Sequence, residues 1–262
     1  MKTLYLECNM GAAGDMLMAT LVELLDKPDE FVNEFNNLNI PIKLIKEEST
    51  KCGIVGTHMR VMVNGEEEVS EDVNVQENNV LHEHEHEHEH EHEHTHDNEH
   101  GHDHSHGHHS HSSLSHIEEI INGLDIPAKV KKDAVNVYCL IGEAEAKAHN
   151  KSIKEIHFHE VGTMDAIADV VGVCMLIDKI NPDRIMASPV HVGSGNVRCA
   201  HGILPVPAPA TAYILREVPS YSGNIKGELC TPTGAALLKY FADDFDAMPI
   251  MKTQKIGYGM GN

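Results

Sequence analysis

The residues His157-Phe158-His159-Glu160-Val161-Gly162-Thr163-Met164-Asp165-Ala166-Ile167-Ala168-Asp169 hold the densest compact cluster of metal-ligating and proton-carrying side chains outside one histidine-rich tract. In an extended segment alternate side chains share a side, so His157 and His159 point together. A four-residue spacing puts Asp165 and Asp169 on one helix face. Two imidazoles and two or three carboxylates converging on one point make a shell for a divalent metal, or an acid and base pair beside one. The expected metal ligands are therefore His157, His159 and Glu160, and the expected proton carriers are Asp165, Asp169 and His159. A plainer account has Asp165 favouring a helix N-terminus electrostatically and the histidines in a polar loop. Asp169 weighs against it, because a carboxylate inside so apolar a helix is paired or used.

Three glycine-rich junctions come next. Glu7-Cys8-Asn9-Met10-Gly11-Ala12-Ala13-Gly14-Asp15-Met16 leads from a strand into a helix, where backbone N–H groups can receive a phosphate. It has neither the spacing and lysine of a P-loop nor the GxGxxG pattern, and a tight turn with Asp15 in the first helical turn explains it as well. His191-Val192-Gly193-Ser194-Gly195, followed by Cys199-Ala200-His201-Gly202, sets histidines and a thiol among glycines. Thr231-Pro232-Thr233-Gly234 repeats the logic at another helix start. A pocket for a phosphorylated ligand is expected from Gly11, Gly14, Asp15, Gly193, Ser194, Gly195, Thr231 and Thr233. His191 and His201, the latter with Cys199, are candidate ligands for a soft or borderline metal.

Between Leu81 and His116 lie sixteen of the 22 histidines, interleaved with Glu and Asp. Neutral imidazole suits nickel, zinc, copper and cobalt, and so dense a tract offers overlapping coordination sets, such as His84, His86 and His88 or His102, His104 and His106, without any particular fold. A purification tag would not sit in mid-chain or alternate with Glu. Alternating His and Glu bury almost nothing apolar, so the tract is predicted to lack fixed structure.

The net charge of -21 and the absence of a lysine or arginine run exclude a nucleic-acid partner and favour a cationic one. Six cysteines lie scattered without a CxxC pair or a preceding signal peptide, which predicts a reduced, cytoplasmic protein. The most apolar stretch, Ala166 to Ile180, is too short for a membrane span and carries Asp169 and Asp178, so no membrane role is expected.

The elements that must position these residues are legible as periodicities. Thr3 to Leu6 reads as a strand, followed by a helix with Leu17, Leu21, Leu24 and Leu25 on one face, and by a second helix opened by Pro28 with Phe31, Phe35 and Leu38 inward. Ile42 to Glu47 and Thr57 to Val63 read as strands, the second with Met59, Val61 and Val63 on one face. Ser115 and Glu118 have capping-box spacing; helices are predicted over Ala128 to His149 and Thr163 to Ile180, with a short extended piece at Ile156 to Phe158. Ile185 to Val192 reads as a strand, and Pro207 and Pro232 as first-turn prolines of two later helices. Cys139 and Cys174 fall on apolar helix stripes. The sum is an α/β or α+β fold, a mixed sheet with flanking helices, in which 1–65 and 114–262 form one domain interrupted by an acidic linker and His-rich insertion at 66–113.

The blocks GAAGDM, HFHEVGTMDAIADVVG, GSGNVRCAHGILPVPAPAT and GELCTPTGAALLK, with a histidine-rich insertion between the first two, resemble the nickel-insertion proteins of nickel-pincer cofactor biosynthesis. The resemblance spans nearly the whole chain. It implies a lyase-class reaction that inserts nickel into pyridinium-3,5-bisthiocarboxylic acid mononucleotide, making one Ni–C and two Ni–S bonds, to give the cofactor of lactate racemase and its relatives. It also implies consumption of CTP with a divalent cation. Members usually carry aspartate where this chain has Glu7, and they continue well past Asn262; the resemblance assigns CTP binding to that C-terminal portion, which in some members comes from an overlapping reading frame. The implied partners are the mononucleotide, the C-terminal portion and an apo lactate racemase-type enzyme, and a homo-oligomer is compatible with all of this. The rival of a different class is a non-enzymatic nickel or zinc reservoir or delivery chaperone, for which the tract alone suffices. A metal-regulated nucleotide hydrolase is a third reading, weakened by the missing P-loop.

Overall fold

The computed structural model describes residues 1–67, 73–74, 112–158, 160–199 and 202–261. The predicted ligands His84, His86, His88, His102, His104 and His106, together with His159 and His201, lie outside the described residues.

The fold is a mixed α/β arrangement of seven helices among the described residues, with its strands divided among several small sheets rather than one. Strand β1 (Thr3–Leu6) pairs in parallel with Arg184–Ala187, in register Thr3 to Arg184 and Leu6 to Ala187. The latter strand pairs on its other edge, also in parallel, with Asp244–Phe245. Parallel neighbours require crossovers, and helices supply them. Helix α1 (Gly14–Val22) buries Leu17, Met18 and Leu21, and α2 (Pro28–Asn36) begins on its proline and buries Phe31 and Phe35. A long antiparallel hairpin follows, β2 (Ile42–Lys51) against β3 (Ile54–Val63), with Ile42, Leu44, Met59 and Val61 facing inward. It is longer than predicted, because Cys52 at φ 53 and Gly53 at φ 79 close a two-residue turn at its far end.

Beyond the insertion come α3 (Leu114–Gly123), α4 (Ala128–His149) and α5 (Met164–Ile180). The cap of α3 is Ser113, whose hydroxyl accepts from the His116 N–H, rather than Ser115. Helix α5 is the centre of the core: every residue from Ala166 to Ile177 is buried. A helix apolar all round has no solvent face to offer. Fully burying each of Ile167, Val170, Val171 and Leu176 contributes about 1.5–3 kcal/mol. Thr163 caps its start by accepting from Ala166 N–H, and Asn181, at φ 45, ends it.

The predicted strand Ile185 to Val192 is two pieces, Arg184–Ala187 and Val190–His191, because Ser188-Pro189 cannot continue the ladder. Helix α6 (Pro209–Ile214) starts on Pro209, so Pro207 precedes the helix instead of opening it. Helix α7 (Pro232–Phe241) does open on its proline. Among the described residues no helix is long and apolar enough to cross a membrane.

Candidate functional site

An open cleft of about 2420 Å³ runs along the ends of β1, α1, α5 and α7. The loop from Asn9 to Gly14 forms its floor, and glycine is dictated there by contact. Gly11 sits at φ +85, and a Cβ on it would fall 1.8 Å from the Leu229 carbonyl oxygen. The Ala12 N–H donates to that same carbonyl at 2.9 Å, and the Thr231 N–H returns a bond to the Ala12 carbonyl at 3.0 Å. Gly14 lets α1 approach α5: a Cβ on Gly14 would lie 2.5 Å from Asp169 Oδ2. The next residue exploits that approach, since the Asp15 N–H donates to the Asp169 carboxylate. Beside this loop Thr231 caps α7 by accepting from Gly234 N–H at 3.2 Å, with Thr233 Oγ1 3.0 Å from Thr231 Oγ1.

Three carboxylates thus face one cleft: Asp15, Asp165 and Asp169. Asp169 is 6% exposed, and its Oδ1 has no hydrogen-bond partner among the described residues. Burial above all, then the charges of Asp165 and Asp15, hold its carboxyl well above the usual range, opposed by the Asp15 N–H. Asp15 is also raised by burial, against the Met16 N–H and the charges of His58 and Lys51. Asp169 accordingly holds its proton to higher pH than an exposed aspartate does. A divalent cation entering the cleft inverts that balance, because its charge favours the carboxylate form. The arrangement can therefore release a proton on cation arrival and accept one afterwards.

Tyr138 sits beneath this group, fully buried, and its hydroxyl also lacks a partner among the described residues. Burial first, and then Asp169 and Asp165, push its phenol up. An unsatisfied buried hydroxyl opposes folding, so Tyr138→Phe is expected to leave stability unchanged or raise it by about 1 kcal/mol in urea denaturation. A loss of more than about 2 kcal/mol would instead reveal a partner such as a bound water.

Of the residues expected from the sequence, Gly11, Gly14, Asp15, Asp165, Asp169, Thr231 and Thr233 all line the cleft. Gly193, Ser194 and Gly195 do not. They form a separate turn, paired through Gly193 and Ser194 with Gly227–Glu228, and Ser194 Oγ donates to the Ile225 carbonyl. His157 is exposed on a two-residue strand paired with Ser112–Ser113, because its neighbour Phe158 takes the inward position; it is not among the cleft residues. The backbone of Glu160 belongs to a 3-10 turn, and its side chain lies outside the described set. His191 is buried away from the cleft, its Nδ1 2.8 Å from the Asn9 carbonyl oxygen and its ring stacked on Tyr221 at 4.8 Å. Its Nε2 faces Gly223 and is buried without a partner among the described residues. Among the described residues no group of three or more His, Cys, Asp or Glu side chains is arranged to hold a metal ion.

Cys8, Cys174 and Cys230 are buried core residues. Burial pushes the Cys8 thiol up to about 12 and raises Cys174 and Cys230 as well, so none of the three offers a thiolate. Lys51 and His58 are cleft groups that the sequence did not single out, and Tyr138 lies buried behind them. His58 shows as the half-exposed face of β3, and nothing local marks it as a neighbour of Asp15, more than forty residues away.

The nickel insertion protein family model matches residues 4–262. A pyridinium-3,5-bisthiocarboxylic acid mononucleotide nickel insertion protein of Clostridium kluyveri is 41% identical over 100% of this chain and 59% of its own length. The protein of the same name in Clostridium acetobutylicum is 45% identical over 100% of this chain and 61% of its own, and that of Desulfitobacterium hafniense is 35% identical over 100% and 55%. The chain thus spans under two thirds of the length of these relatives. No solved structure matches it.

Proposed function

The chain belongs to the nickel insertion protein family, and we propose that it carries the nickel-handling and organic-substrate site of an insertase acting on pyridinium-3,5-bisthiocarboxylic acid mononucleotide. The observation that carries this reading is the buried carboxyl of Asp169, whose Oδ1 has no partner among the described residues, facing a cleft beside Asp165 and Asp15. Nickel is the cargo, collected by the histidine tract and passed inward. Forming the Ni–C bond replaces a ring hydrogen, so a base must take that proton. Asp169 or Asp165 is the base within the described residues, and His159 is a third candidate. A dication in the cleft favours the carboxylate form of Asp169, and that carboxylate is the acceptor for the ring proton within a water-poor wall.

The mononucleotide phosphate is accepted by backbone N–H groups at the first turns of α1 and α7, where Gly11, Gly14, Thr231 and Thr233 keep the approach open. The lyase class goes with nickel insertion itself, and the binding of CTP with its divalent cation is assigned to the portion of the relatives beyond residue 262. No step within this cleft needs it. The six free cysteines support a reduced, cytoplasmic setting. The consumer of the product is an apo lactate racemase-type enzyme.

A reservoir or delivery chaperone is the second reading, favoured by the histidine tract alone. Supplying the chain with nickel, the mononucleotide, CTP and the C-terminal portion, and then following the mass of the organic ligand, separates the two. An insertase yields ligand heavier by one nickel and lighter by the displaced hydrogen. A reservoir leaves the ligand mass unchanged.

A further inference from the structure

The end of the described chain is built into the wall of the cleft. Residues 257–261, Gly-Tyr-Gly-Met-Gly, run as a strap between α1 and β3. The Thr57 N–H donates to the Tyr258 carbonyl at 2.9 Å and the Met260 N–H to the Thr57 carbonyl at 2.8 Å. Two of the strap's glycines are obligatory by contact. A Cβ on Gly257 would lie 2.3 Å from the Thr20 carbonyl oxygen, and one on Gly259 would lie 2.0 Å from that of Met16. The Tyr258 N–H is held by Glu23 Oε2 at 2.8 Å.

This strap fixes an imidazole. His58 Nδ1 lies 2.9 Å from the Met260 carbonyl oxygen, and a carbonyl only accepts, so Nδ1 carries the hydrogen and Nε2 keeps its lone pair. Such a bond from one ring nitrogen to a backbone carbonyl is the arrangement that orients a metal-binding histidine through the other. His58 and His116 are the imidazoles lining the cleft among the described residues, and His58 is the one held by the strap that also runs against Asp15. The strap reaches the same carboxylate: a Cβ on Gly261 would sit 3.6 Å from Asp15 Oδ2, while the Gly261 carbonyl accepts from Lys51 and anchors that competing cation. Just inside lie two buried groups without a partner among the described residues, Asp169 Oδ1 and the Tyr138 hydroxyl.

We propose that His58 Nε2 and the Asp15 carboxylate form a two-ligand docking position for a borderline divalent cation at the rim of the cleft, ahead of the Asp165 and Asp169 pocket. Imidazole with carboxylate suits nickel, cobalt or zinc, whereas magnesium prefers all-oxygen shells and keeps its waters. Two protein ligands leave the remaining positions to water or to an incoming organic ligand, as a hand-over site requires. Only the identity of the cation rests on the nickel-insertion reading.

The test is residue-specific and uses the intact chain. Diethyl pyrocarbonate modifies the lone-pair nitrogen of a neutral imidazole, and peptide mass spectrometry reads His58 separately from the tract. Nickel at ten times its dissociation constant should slow modification of His58 by about tenfold, and magnesium should not. Asp15→Asn should leave His58 reactive but remove the nickel protection, and Gly259→Ala, which displaces the strap, should weaken it. Unchanged reactivity of His58 with nickel, while tract peptides are protected, would overturn the proposal, as would full protection persisting in Asp15→Asn. Protection of His58 in a protein that never yields nickel-bearing product would uphold the docking position and remove the insertase reading instead.

Discussion

Asp169→Asn is expected to stay folded and to lose about 10²- to 10⁴-fold in nickel-insertion turnover, the usual contribution of a positioned acid or base. Asparagine preserves the shape and can still accept from the Asp15 N–H, but it can neither release nor take up a proton. The same substitution should alter stability in a pH-dependent way. Burial raises the folded-state pKa of Asp169 above its unfolded value, so the folded chain binds this proton more tightly. Stability from this group is complete below the ordinary aspartate range and declines as pH rises from there through the folded pKa. The variant lacks that decline. Its melting temperature should therefore match or exceed that of the parent near neutrality and approach it in acid, apart from the constant effect of the amide. Full turnover in the variant, measured by ligand mass, would remove Asp169 from the chemistry.

Gly14→Ala is expected to damage activity through geometry alone. The added methyl would fall 2.5 Å from Asp169 Oδ2 and 2.6 Å from its Cβ, inside the packed α1 and α5 contact. Overpacking of this kind costs about 1–3 kcal/mol. The first structure to yield is the Asp15 N–H contact with the carboxylate, and a misplacement of about 1 Å at a reacting group can cost roughly 10²-fold in rate. Thermal unfolding and turnover together check this. Parental stability with parental turnover would mean the two helices are not pressed together at Gly14.

Much of this geometry was readable from local pattern, and the misses share a cause. Helix α4 follows its apolar periodicity and α5 its continuous apolar run, and the aspartates at 165 and 169 share a face because the spacing is helical. Gly11, Gly14, Asp15, Thr231 and Thr233 converge because they sit at helix starts beside parallel strands, where chain ends meet. His157 was expected to join them, yet alternation in its strand turns Phe158 inward and leaves the histidine in solvent. Gly193 to Gly195 carry the right residue types for a ligand turn but serve a backbone crossing, Gly193 lying against the Gly227 carbonyl. His191 is held outside the cleft lining by long-range packing against Tyr221 and Gly223, and His58 joins the cleft through long-range packing by the strap. Neither is encoded in its neighbourhood.

The central claim is a division of labour between a histidine-rich collector and a cleft that handles the organic substrate. Equilibrium dialysis of the chain with residues 82–111 removed, against nickel and the thiolated mononucleotide, tests it most directly. The account predicts a large fall in nickel capacity with binding of the mononucleotide retained. Loss of mononucleotide binding together with the nickel, in a chain that still unfolds cooperatively, would contradict it.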